Sequence, residues 1–199
     1  MWRTTERGRI LTARATLQLP SSTNAALFAK HVVNGRRFVV MGVSGAGKSV
    51  IGSAFAESLG LDFVEGDRFH PARNVERMSA GVPLTDDDRA GWLGALAARL
   101  AHSGRMGAGL VMTCSALKRA YRDVLRAGAP DLRLVYLQGP QPLLAARLAG
   151  RTGHFMPPAL LDSQLDTLEE PTPDEDAWVC DIARSPESIV DDLVARARA

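Results

Sequence analysis

Cysteine is scarce in this chain of 199 residues: Cys114 and Cys180 are the only two, each inside an apolar, strand-like run. Two thiols cannot build a disulfide framework at this length, so a small stapled scaffold is excluded and buried reduced cysteine is expected. Long apolar runs are missing too. None approaches the roughly 20 residues needed to cross a bilayer, and nothing in the sequence calls for a membrane. A basic stripe along the body is also lacking. The formal charge is +2, but residues 1–40 hold seven basic residues against one acid, Glu6, while residues 41–199 hold 17 basic and 21 acidic. A mildly acidic body argues against a nucleic-acid partner.

What is present fits one globular domain: 46% apolar residues for a sizeable core and an ordinary 23% charged. Residues 1–35 stand apart. Arg3, Arg7, Arg9 and Arg14 are spread among Ser and Thr without periodicity, a composition like that of an organellar transit leader. A mis-assigned upstream start and a disordered arm are the competing readings. The expected organisation is a leader over 1–35 and a single domain over 36–199, placed in the cytoplasm unless the leader directs it elsewhere.

From Arg37 onward, short apolar runs alternate with helical patterns. The runs are Phe38–Val43, Leu61–Val64, Leu110–Cys114, Leu132–Leu137 and Ala177–Cys180, several almost wholly apolar, as parallel strands covered on both faces are. Between them, Thr85 is a plausible helix cap followed by Asp86, Asp87 and Asp88, with Trp92, Leu93, Leu96 and Leu100 forming an apolar stripe. Ser185 and Pro186 announce the last helix. Five strand candidates alternating with helices predict an α/β fold with a parallel sheet.

The segment Gly42-Val-Ser44-Gly45-Ala46-Gly47-Lys48-Ser49 satisfies G-x-x-x-x-G-K-[ST], preceded by a strand and opening a helix, the context that motif requires. Glycines let several backbone N–H groups converge on phosphate oxygens, and the helix N-terminus adds its dipole. Lys48 would neutralise the β- and γ-phosphates and the Ser49 hydroxyl would ligate Mg²⁺. Gly42, Ser44, Gly45, Ala46 and Gly47 complete the cradle for a nucleoside triphosphate. Lys30, Lys48 and Lys118 are the only lysines, and neither Lys30 nor Lys118 stands in an Asn-Lys-x-Asp guanine reader, which disfavours a GTP switch.

A second cluster follows the second strand: Glu65-Gly-Asp67-Arg-Phe-His70-Pro-Ala-Arg73-Asn74. Asp67 falls at a strand's carboxyl end, where open α/β sheets place ligands. There it could accept or orient the proton of an attacking hydroxyl; capping the next helix is the alternative. His70 could donate to a substrate oxygen or simply sit in a turn. Arg73 could pair with a carboxylate. Lys118 and Arg122 are four apart, so a helix would put both charges on one face, with an anion between them or with solvent. Arg147 and Arg151, amid the glycines and prolines of residues 147–158, suit a mobile lid over the triphosphate, or a helix end at the surface.

At these residues the chain resembles the gluconokinase family of P-loop small-molecule kinases, relatives of shikimate and adenylate kinases. The likeness runs in order through Met41–Ser49, Gly66–Pro71, Asn74–Met78, Pro83–Arg89, Trp92-Leu93, Cys114–Lys118, Tyr121–Asp123, Gly153–Met156, Leu160–Leu165 and Leu168–Pro171. It implies a three-layer P-loop fold with a five-stranded parallel sheet and a small lid at about 150–160. It also implies ATP- and Mg²⁺-dependent phosphorylation of D-gluconate at its 6-hydroxyl, and a homodimer. Arg147 and Arg151 resemble the arginines that cover the adenine and grip the phosphates, and Asp67 the carboxylate beside the acceptor hydroxyl. His70, Arg73, Lys118, Arg122 and Gln164 are candidates for the substrate pocket. A kinase for another small polyol acid such as shikimate, and a slow ATP-hydrolysing regulator, remain the alternatives. Residues 1–35 have no counterpart in the family.

Overall fold

The computed structural model describes residues 35–150 and 158–199. The expectations for residues 1–34 and for the lid segment 151–157, Arg151 included, lie outside the described residues.

The elements run β1 (Arg37–Met41), α1 (Lys48–Leu59), β2 (Asp62–Glu65), a 3₁₀ turn (Gly66–Phe69), α2 (Ala72–Ser79), α3 (Asp86–Arg105) and β3 (Leu110–Thr113). They continue through α4 (Arg119–Gly128), β4 (Arg133–Gln138), α5 (Gln141–Ala149), α6 (Pro158–Thr167), a second 3₁₀ turn (Pro173–Glu175), β5 (Trp178–Asp181) and α7 (Pro186–Arg198). The strands form one parallel sheet in the order β2-β3-β1-β4-β5. Its centre, β1, is covered on both faces because successive side chains point opposite ways. Phe38 and Val40 join a core with Phe55 of α1 and Leu193 of α7, while Val39 and Met41 join Trp92 and Leu96 of α3 and Leu125 of α4. The three-layer expectation holds.

Local signals act as their chemistry requires. The Thr85 hydroxyl accepts from Asp88 N–H at 3.2 Å, and Asp88 Oδ2 accepts from Thr85 N–H at 2.9 Å, closing a capping box at the start of α3. Ser185 caps α7 through Ser188 N–H at 3.2 Å. β1 stops at Met41, two residues short of the apolar run, because Gly42 turns away at φ 141°. Both cysteines are buried free thiols.

Arg122 corrects an expectation. Its side chain is 1% exposed, and Nε and Nη2 donate to the two carboxylate oxygens of Glu175 at 2.6 and 2.7 Å. Nη1 donates to the carbonyls of Ala116, Leu117 and Glu169. The guanidinium is spent on the core and does not face a substrate. Arg126 adds a third arginine bond to the Glu175 carboxylate, at 2.9 Å.

Burial alone would raise the Glu175 carboxyl; the hydrogen bonds from Arg122 and Arg126 overcome it and hold it at about 2. A carboxyl held below its ordinary value of 4.5 contributes stability that is complete above that value and lost as pH falls through about 2. Glu175→Gln leaves a buried guanidinium without a counter-ion and should cost about 3–5 kcal/mol in urea denaturation at neutral pH. A loss below about 1 kcal/mol, the worth of a surface pair, would contradict a core role.

Candidate active site

The loop from Gly42 to Gly47 joins the central strand to α1. Gly42, Gly45 and Gly47 have φ of 141°, 83° and 93°, and a Cβ on Gly42 would stand 2.8 Å from the Leu137 carbonyl. The turn therefore depends on glycine. No side chain caps α1 and its first turn carries no acid, so the chain supplies no anion of its own at the positive end of that helix. Lys48 Nζ donates to the Val43 carbonyl at 3.0 Å, folded along the loop, and Ser49 is exposed in the first helical turn.

Opposite the loop, the end of β2 is locked to β3. Gly66 N–H donates to Thr113 Oγ1 at 3.1 Å, Thr113 Oγ1 donates to Glu65, and Trp92 Nε1 donates to the Gly66 carbonyl at 2.8 Å. A Cβ on Gly66 would lie 2.0 Å from the Thr113 carbonyl oxygen. This close approach fixes where Asp67 emerges. Asp67 is exposed, makes no side-chain hydrogen bond among the described residues, and does not cap α2, whose cap is Pro71. Because β2, β3 and β1 are parallel neighbours, the Asp67 turn and the Lys48 loop open at the same edge of the sheet, and the charges of Asp67, Lys48 and Arg89 all act on the Cys114 thiol just after β3. The thiol itself is pushed up to about 12, chiefly by burial, and stays protonated.

His70 stacks on Trp92 with ring centroids 4.1 Å apart, and burial lowers its pKa, helped by Arg89 and opposed by Asp67. It is neutral at pH 7 and can donate or accept. Asn74 is fully buried; its amide donates to the Asp88 carbonyl at 2.7 Å. The turn after β3 carries Ala116 at φ 46°, a left-handed backbone uncommon for alanine.

Lys118 departs from expectation. It is the extended cap residue of α4 rather than part of the helix, so it shares no helical face with Arg122. Its Nζ donates to both carboxylate oxygens of Asp86 at 2.8 Å, and Tyr121 donates to Asp86 as well. These bonds lower the Asp86 pKa and raise that of Lys118. Gln164 also lies elsewhere than the acceptor side suggests: its amide oxygen accepts from Ser44 N–H at 2.7 Å, on the phosphate loop itself. Arg73 is exposed on α2, and no side-chain hydrogen bond or ion pair joins it to another described residue.

Beside the phosphate loop lies a cavity of about 300 Å³, bordered by Gly47, Val50, Arg147, Ile182, Arg184 and Pro186. Arg147 donates to the Ile182 carbonyl at 2.7 Å. Arg184 is held by Asp192 at 2.5 Å and by Ser188 Oγ at 2.6 Å. Two anchored guanidiniums and aliphatic walls suit a flat, polarisable ring joined to phosphates. Arg184 and Arg89 escape a reading of the sequence. Arg89 closes the Pro83–Arg89 segment and could have been singled out there; Arg184 carries no local signal.

Gly66→Ala should move the Asp67 turn away from β3. We expect a lower thermal midpoint together with a kcat reduced at least tenfold, comparable to the roughly hundredfold cost of a small misplacement near reacting groups. Unchanged turnover would show that this close packing does not position the site.

A family described as "AAA domain" matches residues 38–171. The gluconokinase of Gluconobacter oxydans is 46% identical over 159 residues, covering 80% of this chain and 89% of that protein. The thermosensitive gluconokinase of Escherichia coli is 45% identical over 141 residues, 71% of this chain and 75% of the relative. The crystal structure of a gluconokinase from Sinorhizobium meliloti superposes with a TM-score of 0.75 at 48% identity, covering 82% and 92% of the two chains. A P-loop with its lysine in place, an acidic turn at the same edge of the sheet and this extent of similarity lead to one conclusion: the chain belongs to the gluconokinase family of P-loop kinases.

Proposed function

We propose that this protein transfers the γ-phosphoryl group of ATP to the 6-hydroxyl of D-gluconate, giving 6-phospho-D-gluconate and ADP. The observation that carries the reading is an uncapped, glycine-built phosphate loop with Lys48 after β1, and the exposed carboxylate of Asp67 after β2, opening at the same edge of one parallel sheet. The gluconokinases to which the chain is similar supply the acceptor.

In this reading the nucleobase enters the cavity between Arg147 and Arg184, and the phosphates lie along residues 42–49. Lys48 swings from the Val43 carbonyl to the β- and γ-phosphates, where it offsets the charge that spreads over the transferring group. Asp67 orients the acceptor hydroxyl and takes its proton as the O–P bond forms. Neutral His70 offers a hydrogen bond to a substrate hydroxyl. Arg73, Lys118 and Gln164 stay at the margin of the pocket, Lys118 through Asp86 and Gln164 through the loop. Arg151 remains the proposed lid cation.

Among the described residues no group of three or more His, Cys, Asp or Glu could hold a metal by itself. That suits Mg²⁺, which keeps phosphate and water oxygens and asks little of the protein; the Ser49 hydroxyl fits as its one side-chain ligand. The ion supplies charge neutralisation at the phosphates when bound. A homodimer is part of the reading, supported by the family resemblance.

Coupled ADP-release assays over a panel of sugar acids test the proposal. We expect turnover that depends on gluconate and is abolished by Lys48→Met with the fold intact. Turnover with a different acid, acceptor-independent ATP hydrolysis, or a near-normal kcat in the variant would each contradict it.

A further inference from the structure

Arg89 is a half-buried cation that forms no ion pair with any described residue. It stands in the second turn of α3, where Nη1 donates to the Leu84 carbonyl at 2.5 Å and reaches Thr85 O at 3.5 Å. A guanidinium carries five N–H donors, and Nε and Nη2 make no hydrogen bond among the described residues. Nor does any described carboxylate lie within ion-pair distance of it. Of the neighbouring acids, Asp86 is engaged by Lys118 and Tyr121 and Asp88 by Thr85, while the exposed Asp87 forms no ion pair with it. Neither Nε nor Nη2 is sealed from solvent, so both stay open to the oxygens of an incoming anion.

The direction in which Arg89 acts matters as much as its lack of a partner. Its charge lowers the pKa of His70 and also acts on Cys114, and those same two groups feel Asp67. Its guanidinium carbon lies 5.7 Å from the Tyr121 ring centroid. Arg89 and Asp67 therefore act on the acceptor pocket together, with the stacked His70–Trp92 pair as a flat wall. One pole offers a carboxylate to a hydroxyl; the other offers a planar fork of donors to an anion.

We infer that Arg89 binds the carboxylate of the acceptor and thereby sets both the preference for an acid over a neutral polyol and the direction in which the chain lies. The transferred hydroxyl then sits at the Asp67 and Lys48 end, and the acid group at the α3 end. A bidentate guanidinium–carboxylate pair gives planar selectivity that an ammonium does not. The inference rests on the gluconate reading above and assigns its specificity to one side chain. Lys118, already neutralised by Asp86, is not the carboxylate reader.

The test compares wild type, Arg89→Gln and Arg89→Lys in steady-state kinetics with gluconate and with D-glucitol, the neutral polyol of the same carbon chain. Thermal midpoints are recorded alongside. Arg89→Gln should raise the KM for gluconate about 10- to 100-fold, the worth of a charged hydrogen bond. The KM for ATP and any turnover of glucitol should stay within about twofold, and Arg89→Lys should recover part of the loss. An unchanged gluconate KM would overturn the inference. So would a joint shift of the gluconate KM, the ATP KM and the midpoint, because Arg89 would then only brace Leu84. Absence of gluconate turnover in wild type would instead sink the underlying assignment, and this inference with it.

Discussion

A main-chain loop that is to grip a polyphosphate must keep its N–H groups from settling on the protein's own side chains. That constraint organises the rest of this structure. It demands glycines at positive φ after β1, and it leaves α1 without a side-chain cap. It also requires a rigid strand beneath, because a loop whose internal bonds are few, Ala46 N–H and Lys48 Nζ to the Val43 carbonyl at 3.3 and 3.0 Å, cannot hold its shape alone. β1 meets that need as the centre of the sheet, buried on both faces. The exception is Ser44, whose N–H is held by Gln164 of α6. The helix that follows the lid segment is thus tied directly to the phosphate loop.

The second condition is a neighbour. With β3 between β1 and β2, the turns that follow three adjacent strands open at the same edge of the sheet. Gly66 lets the first of these turns pack against Thr113, and Trp92 pins it from α3. Asp67 is thereby fixed at the same edge of the sheet as Lys48 by packing, with no side-chain hydrogen bond of its own among the described residues. A carboxylate that must meet a hydroxyl gains from staying unpaired within the protein.

What could be read in the sequence was whatever is encoded locally. The phosphate loop, the Thr85 and Ser185 caps and the apolar runs each depend on residues within a few positions of one another. Hence the strand and helix boundaries lie within one or two residues of expectation. Pairs made by the fold were not readable. Arg122 and Glu175 are 53 residues apart, and nothing near Arg122 announces that its charge turns inward. The spacing of Lys118 and Arg122 misled because it presumes a helix through both, whereas the helix begins at Arg119 and Lys118 is extended. Arg184 borders the cavity beside the phosphate loop only because β5 and α7 bring it to α1. Arg89 lay within a recognisable segment, yet that it forms no ion pair with any described residue shows only when the partners of Asp86 and Asp88 are known.

The central claim is that phosphate-loop and acidic-turn chemistry meet at one end of an acyclic sugar acid. Nuclear magnetic resonance of the product formed from ATP and ¹³C-labelled gluconate addresses it most directly. Phosphorus–carbon coupling at C6 and its neighbour C5, and at no other carbon, is the expected result. Phosphate on any other oxygen, or release of inorganic phosphate with gluconate unchanged, would contradict the account.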